Sequence, residues 1–470
     1  MSTGYISSNC QAPARPNSRT HPVFTLRRQK ILCLSGHPEP QAPKKWDKIL
    51  NTTHNTHSCY LTEYRDDKAP DVTESEDCLY LNVYTPVEPG SKATPLPVLF
   101  WIHGGGYYFG DGTFQVYGPQ FLIDYDIVIV TINYRLGALG LFRGAILHSG
   151  TALCTWGLQR FARYYAFKLG TTLDPKFKSD NSTELLKLLQ SVSADAIVNI
   201  TLNIPTENII GVDKESIWGP VIENEKLSNS FITGPMHEDI RTGNINKVPI
   251  MLGYNSEEEL LFVGDGKDVM ELAKNMDEDL SRVVNNKFNI TEKDKPVVGR
   301  LLRKLYTNDT FQKHLGAIVR YLSDEGFATP TIRHAKLQSK HTDVYLYQFA
   351  YEGMISFTNI TIEGVDTVGH AEELKYLWHV DRLDDGGIFP IADRLTQRRM
   401  LNLWSNFVKH LNPTPECDPL FDNILWPKVT PGKIRYFNIN RTLEVRTNPR
   451  NYDQFEAIVD KYANPPLVTY

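Results

Sequence analysis

The stretch FWIHGGGYYFGDG places His103, Gly104, Gly105 and Gly106 directly behind a run of apolar residues. Consecutive glycines let backbone N–H groups approach a ligand closely, and two adjacent donors suit a negative charge developing on a carbonyl oxygen. A tight turn from strand to loop would use the same residues. Other groups able to do acid–base work lie far along the chain. Glu257, Glu258 and Glu259 follow a strand-like run in VPIMLGYNSEEEL. Three carboxylates there also read as a solvated helix start, where negative charge meets the N-terminal dipole. His370, in GVDTVGHAEEL, reads on its own as a loop residue. Acyl transfer would also need a nucleophile, and a serine presented on a strand-to-helix elbow has the pattern G-x-S-x-G. That pattern does not occur between Met1 and Tyr470.

The elements that must position these residues are legible from residue 78 onward. CLYLNVYTP, LPVLFWIHGGG, DIVIVTINYR and GAILHSG read as strands, as do VPIMLGYNSEE and DVYLYQFAY. Their unbroken apolar runs predict a sheet buried on both faces, hence mostly parallel strands covered by helices. GLQRFARYYAFKLG and STELLKLLQSV have helical spacing, and LTQRRMLNLWSNFVKHLNPTP is a helix stopped by Asn-Pro. The fold class is therefore α/β. With no repeat and no internal linker, residues 46–470 read as one domain, preceded by a disordered or aberrant segment over 1–45.

Composition excludes several classes. The 470 residues are 41% hydrophobic with a formal net charge of −5, and the mixed charges leave no basic stripe for a nucleic acid. No apolar run reaches the roughly 18 residues of a membrane span, and no metal or cofactor motif is present. The first residues lack the apolar core of a signal peptide. Seven Asn-x-Ser/Thr sequons, at Asn51, Asn181, Asn199, Asn289, Asn308, Asn359 and Asn440, point instead toward export and glycosylation. Cys59 and Cys78 flank a polar segment and read as free thiols or as an oxidised pair.

One junction is physically awkward. In NYRLGALGLFRGAILHSG only residues 135–144 separate two buried strands. Parallel neighbours need a crossover of about a dozen or more residues, normally a helix. An antiparallel hairpin at LGALG is the other way to join them.

Taken together, EDCLYLNVYTP, PVLFWIHGGGYYFG, VIVTINYRLGALG, LFRGAILHSGTAL, VPIMLGYNSEEELLF, GVDTVGHAEELKYLW and WSNFVKHLNPTP resemble the type B carboxylesterases. These form the cholinesterase-like branch of the α/β-hydrolases, and the likeness is closest to insect carboxylesterases and juvenile hormone esterases. The resemblance implies an α/β-hydrolase fold, serine acyl transfer on small lipophilic esters, no cofactor, and secretion. It implies His370 as the catalytic histidine and Glu258 as its acid, although Glu259 stands where the family carries a small residue, which keeps Glu257 and Glu259 in contention. Gly105 and Gly106 match the oxyanion donors, and Cys59 with Cys78 matches the first family disulfide. It also implies what is missing: several tens of residues between NYRLGALG and LFRGAILHSG, comprising the strand ending in the elbow, the nucleophilic serine and the flanking helices. The flanks are fused in frame at Gly140 and Leu141, as a skipped exon would leave them. A second discontinuity lies upstream, where relatives carry an F-x-G-I-P-Y-A segment. Ser149 matches a structural position on the strand after the elbow. The chain as written is thus expected to be inactive; the alternative is a non-catalytic binding or adhesion protein of the same superfamily.

Overall fold

In a computed structural model, the described residues are 52, 57–59, 72–75, 77–88, 94–107, 109–134, 142–201, 218–223, 232–358, 360–380 and 389–465, together with the backbone of 23–27. The junction at Gly140 and Leu141, the sequons at Asn51 and Asn359, and most of the segment 1–45 lie outside them. The chain divides into two compact units, one of residues 1–138, 161–205 and 378–387, the other of 139–160, 206–377 and 388–470.

The first unit holds β1 (Val23–Arg27), β2 (His57–Ser58), β3 (Thr73–Glu74), β4 (Tyr80–Tyr84), β5 (Val98–Ile102) and β6 (Val128–Ile132). Its helices are α1 (Ala162–Leu173), α2 (Ser182–Ser191) and α3 (Ala194–Thr201). Four strands form a mixed sheet in the order β1-β4-β6-β5, in which only β5 and β6 run parallel. Tyr84 and Ile129 are buried there, and Asn82 ties the sheet to the following loop by donating to Gly112 O at 2.7 Å. β5 ends the sheet, and Val98, Phe100 and Ile102 along one of its faces are exposed. Cys59 and Cys78 are joined as a disulfide. α2 starts where the Asn181 side chain accepts from the Thr183 N–H, an N-cap that satisfies one of the donors a helix start leaves open.

The second unit is larger. It contains β7 (Ala145–His148), β8 (Ile250–Asn255), β9 (Val344–Phe349), β10 (Arg435–Ile439) and β11 (Glu444–Thr447). Its helices are α4 (Met236–Thr242), α5 (Gly266–Glu278), α6 (Lys295–Lys304), α7 (Leu315–Ser323), α8 (Thr329–Gln338), α9 (Ile391–His410) and α10 (Tyr452–Tyr462). The sheet order is β11-β10-β9-β8-β7, parallel from β7 through β10 and closed by antiparallel β11. Every residue of β8 is buried, as its unbroken apolar run predicts. Ile250, Leu252 and Tyr254 share a core with Ile332 and Ala335 of α8, along with Val344 and Leu346 of β9. On the other face Tyr345 meets Phe407, and Tyr347 meets Trp404, both from α9. Helices therefore cover both faces.

Two expectations change. Instead of one central sheet the described residues hold two principal ones, and β6 and β7 lie in different sheets, neither paired in parallel nor folded as a hairpin. α9 begins at Ile391, four residues before the LTQRR run, because Pro390 pre-sets the entry, and it ends at Leu411 in the left-handed region ahead of Asn412 and Pro413.

Candidate active site

The acid–base pair is assembled in the second unit. β8 delivers the chain into a short 3₁₀ turn, Glu258–Leu261. The three neighbouring carboxylates of this turn take different environments. Glu257 Oε1 meets Arg320 at 3.2 Å and Arg450 at 3.3 Å. Burial nevertheless pushes its carboxyl up to about 7, against the pull of the two guanidinium groups. The Glu259 N–H donates to Ser323 Oγ at 3.0 Å. Glu258 is fully buried and faces His370, its Oε2 lying 2.7 Å from His370 Nδ1, while Oε1 accepts the Asn255 N–H at 2.6 Å. The backbone repeats the pairing: the His370 N–H donates to Glu258 O at 3.1 Å.

With Nδ1–H given to a carboxylate, Nε2 is left as the basic nitrogen of the ring. Burial alone would lower the His370 pKa; the charge and hydrogen bond of Glu258, with smaller help from Glu373, raise it instead. The imidazole is partly open to solvent, at 28% side-chain exposure. Two phenyl rings flank it, Phe262 at 5.1 Å and Phe327 at 5.2 Å between centroids, and these rings stack on each other. Phe327 sits in a single π turn, Asp324–Ala328, between α7 and α8.

The glycine loop belongs to the first unit. Gly105 and Gly106 have φ of +120° and +59°. A Cβ on Gly105 would stand 1.8 Å from Phe109 O, so this turn requires glycine. His103 is buried beneath it. Its Nδ1 lies 2.8 Å from Gly104 O and therefore carries the proton, and its own carbonyl accepts from Tyr134 Oη at 2.7 Å. Burial holds its imidazole below the ordinary pKa, hence neutral.

Ser149 is buried at the end of β7, with φ of +48° and its N–H donating to Gly253 O at 2.9 Å. Asn181, Asn199, Asn289 and Asn308 are exposed, and Asn440 is half-buried. Among the described residues no cluster of three or more His, Cys, Asp or Glu side chains is placed to hold a metal ion. No described helix is long and apolar enough to cross a membrane. A cavity of about 510 Å³ against α5, lined in part by Lys267, Met270 and Lys274, shares no residue with the acid–base pair.

Residues that the motifs did not single out are Phe262, Phe327, Asn255, Glu373 and His148. Asn255 and Glu373 stand inside the two stretches that supply Glu258 and His370, and that adjacency is the only mark they bear in the sequence.

Known proteins resemble this chain over most of its length. Esterase FE4 of Myzus persicae is 25% identical, the match covering 93% of this chain and 91% of that protein. Venom carboxylesterase-6 of Apis mellifera is 25% identical over 89% of this chain and 86% of its own length. Juvenile hormone esterase of Tribolium castaneum is 22% identical over 85% and 81%, respectively. The profile described as Carboxylesterase family matches residues 37–143 and 140–456, nearly the whole chain, in two stretches that meet at the short junction. The chain belongs to the carboxylesterase family, and so to the α/β-hydrolases.

Proposed function

We propose that this chain carries the acid–base and oxyanion parts of a carboxylic-ester hydrolase and lacks the serine that would let it turn over. The observation that carries the reading is the hydrogen bond at 2.7 Å between the buried Glu258 and His370. In serine acyl transfer the serine oxygen attacks the ester carbonyl while a histidine nitrogen, here Nε2 of His370, takes its proton. Glu258 would hold the ring in the Nδ1–H tautomer and stabilise the imidazolium. The Gly105 and Gly106 N–H groups would meet the oxyanion, and water would then release the acid from the acyl-enzyme.

No G-x-S-x-G elbow exists in the 470 residues. Two findings support loss of an internal segment. The family profile matches as two pieces meeting at 140–143. The alignment with Esterase FE4 spans 546 positions but 93% of this chain, about 437 residues, so about 109 of its positions (546 less 437) have no counterpart here. Loss of a nucleophile typically costs on the order of 10⁶ in kcat. The substrate class, had the serine been present, is small lipophilic carboxylic esters. The exposed sequons and the Cys59–Cys78 disulfide support an oxidising, secretory setting.

The test is a fluorophosphonate label with an ester assay on the purified chain. The expected result is no stoichiometric label and no turnover above background. Stoichiometric labelling of any serine sinks the proposal. Sequencing a full-length transcript across the codons for 133–150 is the companion experiment: a restored elbow would make this chain an incomplete form of an active esterase.

A further inference from the structure

A second buried acid–histidine pair lies beside the first, and Asn255 touches both. Its backbone N–H donates to Glu258 Oε1 at 2.6 Å. Its side-chain Nδ2 donates to Glu373 Oε2 at 2.6 Å and to Gly369 O, the carbonyl just before His370, at 2.8 Å. Two acceptors on one nitrogen fix the amide orientation, since the reversed amide would set its oxygen against a carboxylate and a carbonyl. Asn255 is 1% exposed and Glu373 is fully buried.

The other oxygen of Glu373 lies 3.0 Å from His148 Nδ1. On the far side of that ring, Trp404 Nε1 lies 3.0 Å from His148 Nε2. An indole N–H can only donate, so Nε2 accepts and Nδ1 carries the proton toward Glu373. Tyr347 Oη approaches the same Nδ1 at 3.1 Å. It can do so because Gly253 leaves room for the Tyr347 ring to lie across β8: a Cβ there would stand 2.3 Å from it. Burial would raise the Glu373 pKa, but the bonds from His148 and Asn255, with His370 nearby, bring it below the ordinary value, so this second carboxylate is ionised.

We propose that Asn255 and Glu373, anchored by His148, form a positioning network that sets the orientation and charge of the Glu258–His370 pair. Asn255 holds Glu258 by its backbone and the His370 turn by its amide, so the two halves of the pair cannot drift independently. Glu373 adds a negative charge to those that Glu258 and Glu259 already present to His370. This rests on reading Glu258–His370 as the acid–base pair, but its test needs no nucleophile. Labelling and titration can therefore fail separately.

The experiment is an imidazole ¹⁵N titration by NMR on the full chain, with the Nδ1–H proton signal of His370 as a second readout. Glu373→Gln keeps the shape and an acceptor oxygen but removes the charge; Asn255→Ala removes the amide bridge. In Glu373→Gln the His370 midpoint should fall by about half a pH unit or more. In Asn255→Ala the Nδ1–H signal should also weaken or shift upfield. If Asn255→Ala does not fold, Asn255→Ser, which keeps a short donor, takes its place beside Glu373→Gln. Variants with native amide spectra whose His370 midpoint and Nδ1–H signal match the unaltered chain overturn the proposal.

Discussion

The two principal sheets among the described residues hold their strands in opposite ways. β8, the strand that leads to Glu258, is buried along its whole length, paired on both edges by β7 and β9 and packed against α8. β5, the strand that leads to the glycine loop, ends its sheet and alternates exposed with half-buried residues. Glu258 thus follows a strand whose position is fixed from both sides, and the glycine loop one fixed from a single side. Ordering a catalytic group requires the layers around its strand as much as the group itself. Along β5 one face, with Val98, Phe100 and Ile102, is open to water.

Four substitutions probe that contrast. The largest effect belongs to Leu252→Ala, which empties a site with 0% exposure in the core shared with α8; urea unfolding should show a loss of about 2–5 kcal/mol. A loss below about 1 kcal/mol would mean that the five-stranded sheet is not the rigid half.

Next comes Glu258→Gln. With its charge gone, only the smaller pulls of Glu373 and Glu259 oppose burial, and the His370 midpoint should fall from its raised value. The native pair raises the folded pKa of His370. Its contribution to stability is therefore complete below pH about 6.5 and fades as pH rises through the folded value. The variant should lose about 1–3 kcal/mol at low pH and less above, read from denaturation at a series of pH values. A loss that grows with pH would contradict the pairing.

Gly105→Ala forces a side chain into φ +120° against Phe109 O. A cost of about 1–3 kcal/mol is expected, with amide shifts confined to the loop; an unchanged thermal midpoint would show the loop to be free of that conformation. The smallest effect is expected of Val98→Thr, at a position 56% exposed. Stability should stay within about 0.5 kcal/mol, while solubility rises because an apolar patch on a terminal strand is reduced. A loss comparable to that of Leu252→Ala would mean that the outer face of β5 is covered in solution.

Local chemistry made most elements legible. VPIMLGY announces a doubly covered strand, and the Asn412–Pro413 step marks a helix end. The site was less so, since His370 and Glu258 are 112 residues apart and only family likeness pairs them. Nor could periodicity choose among three glutamates in a row, because a 3₁₀ turn sends the Glu257 side chain toward Arg320 and Arg450 and the Glu258 side chain toward His370. Asn255 and Glu373 look like ordinary polar residues until β8 and the His370 turn are brought together. The separation of β6 from β7 into two sheets is a matter of what the junction can span, which no local pattern encodes.

The π turn at Asp324–Ala328 has a consequence of its own. Such a turn is a helix carrying one residue more than its hydrogen-bond ladder can use. Deleting a single residue there would let α7 run into α8 without interruption, and every side chain beyond would rotate by about 100° around the axis. Phe327 would swing away from His370, and the face of α8 that packs on the sheet would turn with it. A one-residue count in a helix far from either catalytic motif thus sets the aromatic wall of the histidine and the seating of the sheet at the same time.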